Sequence, residues 1–275
     1  MKKLALDLYC GDGGASMGLH RAGFEVTGVD HRPHPRYPFR FIQADALEFP
    51  LDGYDFIWAS PPCQKYTRLR FMPNYRQHPD LIAPTRERLI DSGKPWCIEN
   101  VEDAPLGESG YLIVLCGTMF GLQTEDGRAE LRRHRLFETS FPILLRPACQ
   151  HGRSVIGAHG DHPQPDKTRH ACNDRRTKVL SVVGHTPVDN TGRKTISAIG
   201  HSAPKFYDSR HRRAITVTGS TAQTNLVTNR VRETFSVRDA QQAMGIEWMA
   251  MKGLSQAVPP AYSKFIAQRF LEVCA

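Results

Sequence analysis

Six short apolar runs in the first 120 residues, separated by Gly-rich or helical spacers, constrain this chain more than any other feature. They are Leu4–Tyr9 (LALDLY), Glu25–Val29, Phe39–Ala44, Tyr54–Ser60 (YDFIWAS), Pro95–Ile98 and Leu112–Cys116. Each has the length and the β-branched or aromatic content of a strand. Between them, Ala15–Ala22 and Leu81–Ser92 predict helices, the second with Pro84 in its first turn and Gly93 as its stop. Strands alternating with helices imply an α/β architecture, a mostly parallel, doubly wound sheet. In such sheets ligands gather outside the carboxyl ends of the strands. The residues just after each run therefore carry the functional argument.

The pattern changes after about residue 140. Gly, His, Thr, Pro and Arg become frequent, and helical periodicity disappears. A weak echo replaces it: SVIGAHG at 154, SVVGHTP at 181, SAIGHSA at 197 and TVTGSTA at 216. These predict short strands and turns of a smaller, irregular β-rich domain. Residues 140–232 hold 15 lysines and arginines against 5 acids, whereas the rest of the chain holds 21 against 23. Segregated positive charge predicts a surface that meets a polyanion. Helix returns at Ser236–Asp239, which reads as a capping box, and at Pro260, with Phe265, Ile266, Phe270 and Leu271 along one face. The expected domains are thus 1–139 plus 233–275, with 140–232 inserted between them.

Composition excludes some classes. At 40% hydrophobic and 23% charged residues the chain is expected to fold as a globule. No apolar run approaches the roughly 18 residues of a membrane span. The opening MKKLALDLY is expected to be a first strand rather than a leader, because Asp7 interrupts its apolar run. Seven scattered cysteines, an odd number, suggest reduced thiols and a cytoplasmic location.

Five strand ends carry chemistry. The loop Cys10–Gly14 (CGDGG) follows the first strand and opens a helix, so glycines let a ligand approach the backbone. Asp30 ends the second strand, where a carboxylate can accept both hydroxyls of a ribose, and Asp45 follows the third. Alone, these leave a nicotinamide dinucleotide and S-adenosylmethionine equally open. Cys63 follows the fourth run, pinned by Pro61 and Pro62, and Glu99 follows the fifth. A thiol beside a carboxyl that can carry a proton is a pair suited to covalent catalysis. Arg133 and Arg135 can add positive charge.

With these residues in order, the chain resembles the DNA (cytosine-5) methyltransferases, of the short phage and actinobacterial type. The matching stretches are DLYCGDGGASMGLHRAGFEVTGVD from Asp7, PPCQ from Pro61, ENV from Glu99, RHRLFE from Arg133 and AVPP from Ala257. They span the first 140 residues and the last 40. The resemblance implies a Rossmann-like methyltransferase sheet, S-adenosylmethionine as cofactor, and transfer of its methyl group to C5 of a flipped-out cytosine in duplex DNA. Cys63 would form a covalent adduct at C6, Glu99 would bond N3 and the 4-amino group, and Arg135, with Arg133, would position the ring. Tyr9, Gly11, Asp12, Gly13, Gly14, Asp30, His31, Asp45, Ala46, Pro62 and Val258 would form the cofactor pocket. Asn100 and Val101 would shape their loop rather than react. Two positions depart from the family: Leu131 stands where a glutamine is usual, and Gln256 where an asparagine is usual.

On this reading the basic segment becomes a target-recognition domain. Gln64 and the cluster Arg210, His211, Arg212 and Arg213 are the expected DNA contacts, with Thr218–Asn225 as a second candidate loop. A monomer is expected, acting alone or beside a companion restriction endonuclease. A catalytically decayed DNA binder and an RNA cytosine-5 methyltransferase are the alternatives. Cys149-x-His151 and His170-x-Cys172 offer four metal-ligand side chains, but their spacing matches no zinc finger, so no metal is expected.

Overall fold

The computed structural model describes residues 2–66, 78–127, 129–151 and 236–273, and the backbone of five short strands between 156 and 231. The chain divides into two compact units. The first comprises Met1–Leu115, His134–Pro147 and Ala257–Ala275; the second comprises Cys116–Arg133 and Ala148–Gln256. Residues 116–133 and 236–256 therefore cluster with the second unit, whereas the sequence had grouped them with the first.

The first unit is built on a seven-stranded sheet. Its strands are β1 (Leu4–Leu8), β2 (Glu25–Asp30), β3 (Arg40–Gln43), β4 (Phe56–Ala59), β5 (Trp96–Asn100), β6 (Tyr111–Leu115) and β8 (Arg135–Thr139), in the order β3-β2-β1-β4-β5-β8-β6. β1 to β5 are parallel. β8 runs antiparallel to both β5 and β6. In the sequence, β8 shows only as part of the RHRLFE motif. Its direction matters, because reversal brings Arg135, at its start, to the edge where β5 ends.

All four residues of β4 (FIWA) are buried, as expected of a strand covered on both faces. Alternation divides them. Phe56 lies 5.0 Å from the Phe270 ring, and Phe141 and Phe24 complete that aromatic group. Trp58 packs against Phe137, which meets Tyr262. Ile57 and Ala59 face the other way, into a cluster with Leu6, Leu8, Leu89 and Ile98. Helices cover the sheet: α1 (Gly14–Arg21), α2 (Ile82–Asp91) and α5 (Pro260–Val273). Pro84 does sit in the first turn of α2, and Pro260 does open α5. The buried stripe of α5 is Tyr262, Ser263, Ile266, Ala267 and Phe270; Phe265 and Leu271 are only half-buried on its flanks. Burying each large aromatic side chain contributes roughly 2–3 kcal/mol.

One buried ion pair ties α2 to the antiparallel strand. Arg86 donates to Glu138 at 2.9 Å, Glu138 is fully buried, and the backbone N–H of Ser109 donates to its other oxygen at 2.8 Å. Such a pair holds register only while every partner is present, since removing one leaves an uncompensated buried charge.

In the second unit, β7 (Ala129–Leu131) pairs with β11 (Arg213–Ile215), β9 (Ile156–Gly157) with β10 (Leu180–Ser181), and β12 (Thr224–Asn225) with β13 (Arg230–Val231). Two of the four echoed glycine runs thus fall at paired strands, β9 and β10. Ser236 caps α3 (Val237–Met244): its hydroxyl accepts the Asp239 N–H at 3.1 Å, and Asp239 accepts the Ser236 N–H at 2.7 Å. Gly245 closes that helix in the left-handed conformation, and α4 (Met251–Gln256) follows.

Candidate active site

β1 is the pivot of the sheet. The chain winds from it to β2 and β3 on one side, then crosses to β4 and β5 on the other. This reversal is where doubly wound sheets open a crevice at their carboxyl edge. Residues 9–14, 30, 60–63 and 99–100 all follow or end strands there.

The glycine loop begins with a twist. Tyr9 adopts φ +59°, alone among the described non-glycine residues. A side chain held there costs on the order of 1–3 kcal/mol and persists only where its surroundings fix it. Here the Tyr9 and Thr85 hydroxyls share a hydrogen bond of 2.8 Å. Gly11 follows at φ +51°, with no described residue within 4 Å of where a Cβ would stand. At Gly14 a Cβ would lie 2.5 Å from the Val258 carbonyl oxygen, so only glycine lets the AVPP segment close over the loop.

Beneath the loop lies a buried polar chain. Ser16 donates to Asp7 and also shares a 2.7 Å hydrogen bond with the Tyr37 hydroxyl. Asp7 is fully buried, and its Oδ1 has no hydrogen-bond partner among the described residues. Burial pushes its carboxyl up to about 7, against the opposing pull of Ser16. Above it, Asp30 accepts the Gly11 N–H at 3.2 Å and the Arg32 N–H at 3.1 Å. His34 lies between two carboxylates, Nδ1 2.8 Å from Asp12 and Nε2 3.5 Å from Asp30. Sequence reasoning missed Ser16, Tyr37 and His34. The signal for His34 was its position four residues after Asp30.

The Cys63 loop is anchored from the neighbouring strand. Asn100 is almost fully buried; its side-chain amide donates to the Pro61 carbonyl at 2.8 Å, and its carbonyl oxygen accepts the Val101 N–H at 2.9 Å. Asn100 thus shapes the loop, as expected. The loop is closed by the Tyr66 N–H donating to the Cys63 carbonyl at 2.9 Å. β5 extends through Glu99 and Asn100, so Glu99 is a buried strand residue rather than a loop residue. The Arg135 guanidinium lies 3.2 Å from its carboxylate. Among the described cysteines of this unit, only Cys63 is half-buried; Cys10 and Cys97 are buried, and burial pushes both thiols up.

The remaining expected residues fall as follows. His31 stands 3.1 Å from Asp30 with 61% of its side chain exposed. Asp45 is exposed and accepts the Leu47 N–H at 2.8 Å, while Ala46 is buried in the core. Pro62 is half-buried, Val258 buried and Gln64 exposed. Arg133 belongs to the second unit, where its guanidinium donates to the Ser255 carbonyl at 2.7 Å. Leu131 is fully buried there and Gln256 is exposed. Arg210, His211 and Arg212 lie outside the described residues, as do His170 and Cys172; of Arg213, only the β11 backbone is described.

No family model and no curated protein matches this chain by sequence. Solved structures do match it. A DNA modification methyltransferase encoded within a prophage of E. coli aligns over 99% of both chains, at 15% identity and a TM-score of 0.50. The Entamoeba histolytica methyltransferase EhMeth aligns over 99% of both at 11% identity and 0.49. Spodoptera frugiperda DNMT2, as a triple mutant, aligns over 98% of this chain and all of that one at 14% identity and 0.46. The first of these fixes the fold: the chain has the α/β methyltransferase sheet that its sequence predicts.

Proposed function

We propose that the protein is an S-adenosylmethionine-dependent methyltransferase acting on C5 of cytosine in duplex DNA. The observation that carries the reading is the convergence at one sheet edge of a proline-pinned, half-buried Cys63 loop and a Glu99–Arg135 pair 3.2 Å apart. Asn100 reaches from the end of β5 to hold that loop. The likeness to the prophage DNA modification methyltransferase supports nucleic acid as substrate.

The glycine loop fits the cofactor. No described residue stands over Gly11, and the Asp30 carboxylate at the end of β2 would accept ribose hydroxyls. Tyr9, Asp12, Gly13, Gly14, His31, Asp45, Ala46, Pro62 and Val258 would complete the pocket, with His34 steadying Asp12 and Asp30. When bound, S-adenosylmethionine supplies an electrophilic methyl group on a sulfonium. The base must leave the duplex to be reached. The Cys63 thiolate then forms an S–C6 bond. The C5=C6 electron pair shifts into an enamine as N3 gains a proton, which Glu99 is placed to favour. Arg135 orients Glu99 and offsets negative charge. C5 of the enamine that Cys63 and Glu99 generate would be the nucleophile for the methyl group the bound cofactor supplies, the cofactor's thioether being the leaving group. Solvent base removes the C5 proton, the electron pair re-forms C5=C6, and the Cys63 thiolate leaves. Residues 140–232, with their excess of basic side chains, serve as the DNA-recognition segment.

The test is incubation with labelled S-adenosylmethionine and mixed-sequence duplex DNA, followed by nucleoside mass spectrometry, with RNA in parallel. 5-Methyldeoxycytidine from DNA is the expected product. Label only in RNA, or at another position of the base, would overturn this reading.

A further inference from the structure

The second unit gathers soft donors that the proposed methyl transfer does not use. Cys116 is fully buried at the start of a 3₁₀ turn, Gly117–Phe120. Its Sγ lies 3.4 Å from His151 Nε2. Cys149 Sγ lies 2.8 Å from the same nitrogen. The Thr118 hydroxyl stands beside both sulfurs, at 3.4 Å from Cys116 and 3.5 Å from Cys149. Two thiols and one imidazole nitrogen thus point at one small volume, all within 4.8 Å of one another.

We infer that Cys116, Cys149 and His151 form a structural zinc site. Two thiolates and an imidazole are the donor set that selects zinc in a tetrahedral site. Zinc–sulfur bonds of about 2.3 Å and zinc–nitrogen bonds of about 2.0–2.1 Å place tetrahedral donors roughly 3.5–3.8 Å apart. The Cys116–His151 separation already approaches that edge, and Cys149 must withdraw from His151 by under ~1 Å. A fourth ligand completes a structural site. The three donors leave one tetrahedral position for that ligand. Thr118 would donate a hydrogen bond to a coordinated sulfur, the kind of outer contact that orients ligands. The site would cross-link the segment just after β6 to the start of the basic segment, with 32 residues of chain between Cys116 and Cys149. It is not the pairing suggested by Cys149-x-His151 and His170-x-Cys172, because Cys116 is remote in sequence and close in space.

The test uses the full chain, purified without chelator, with metal content read by plasma mass spectrometry. Cys116→Ser, Cys149→Ser and His151→Ala are compared with Cys172→Ser. The expected result is one zinc per chain, lost in the first three variants and kept in Cys172→Ser. Because a ligand variant can fail to fold, cobalt is also exchanged into the wild type. A strong thiolate-to-cobalt charge-transfer band with tetrahedral d–d absorption is expected. Folded protein without zinc, whose melting temperature is indifferent to chelator and which gives no such band on cobalt addition, would overturn the site. So would a Cys116–Cys149 disulfide in the freshly isolated protein, or zinc lost in Cys172→Ser but not in Cys116→Ser.

Discussion

Cysteines in the two units sit in opposite settings. In the first unit, Cys63 stands half-buried on a proline-pinned loop, with a carboxylate–guanidinium pair at the next strand end. In the second unit, Cys116 and Cys149 converge on one imidazole nitrogen. The same atom is suited to two jobs by its neighbours. A nucleophile needs a stiff backbone, a path to solvent and a proton partner close by; metal ligands need each other. Among the described residues, the other buried thiols, Cys10 and Cys97, have neither arrangement, and burial holds them protonated.

Substitutions can break this contrast, beginning with the largest effect. Cys63→Ser removes the attacking thiolate and is expected to cut methyl transfer by a factor of about 10⁴ or more, while zinc content stays unchanged. Glu99→Gln keeps the shape of the pair but not its charge or its proton, and should cost about a thousandfold in kcat. Arg135→Lys should cost less, because a lysine cannot reproduce the planar guanidinium.

Asp7→Asn tests the floor of the cofactor loop rather than its chemistry. The folded carboxyl holds its proton to about 7, whereas the unfolded one releases it near 3.8. Between these values the folded state binds more protons, so stability falls as pH rises from about 4 to about 7 and is level above. The drop is on the order of 4 kcal/mol, at about 1.4 kcal/mol per unit. Asp7→Asn should flatten it, raising the melting temperature at pH 8 but not at pH 4. A wild-type melting temperature that climbs from pH 4 to pH 7 would contradict that assignment. Asn100→Ala is the smallest effect. Losing the bond to the Pro61 carbonyl should cost about 1–3 kcal/mol and, on the proposed mechanism, lower kcat more than it raises KM for DNA, since the loop would hold the nucleophile rather than the duplex.

The first unit was the more legible because its information is local. Each strand run ends in the residue that matters, so the carboxyl-edge rule alone brought Cys63, Glu99 and Asp30 together. What stayed hidden depended on contacts between distant segments. Antiparallel β8 could not be told from motif residues, although its direction is what delivers Arg135 to Glu99. Tyr37 gave no sign that it would reach Ser16, 21 residues earlier in the chain. Cys116 read as the end of an apolar run, and only folding sets it beside His151. Glu99 was expected just past its strand, and the structure moves it one step inward, where burial gives its charge more weight.

The central claim is covalent attack by Cys63, and trapping the adduct tests it most directly. DNA in which 5-fluorocytosine replaces cytosine lacks the C5 proton that must leave before the thiolate can depart. With S-adenosylmethionine present, the wild type is predicted to form a denaturant-resistant protein–DNA complex whose tryptic cross-link maps to Cys63, and Cys63→Ser is predicted to form none. Methylation of ordinary DNA with no such complex, or a cross-link at any other residue, would contradict the account.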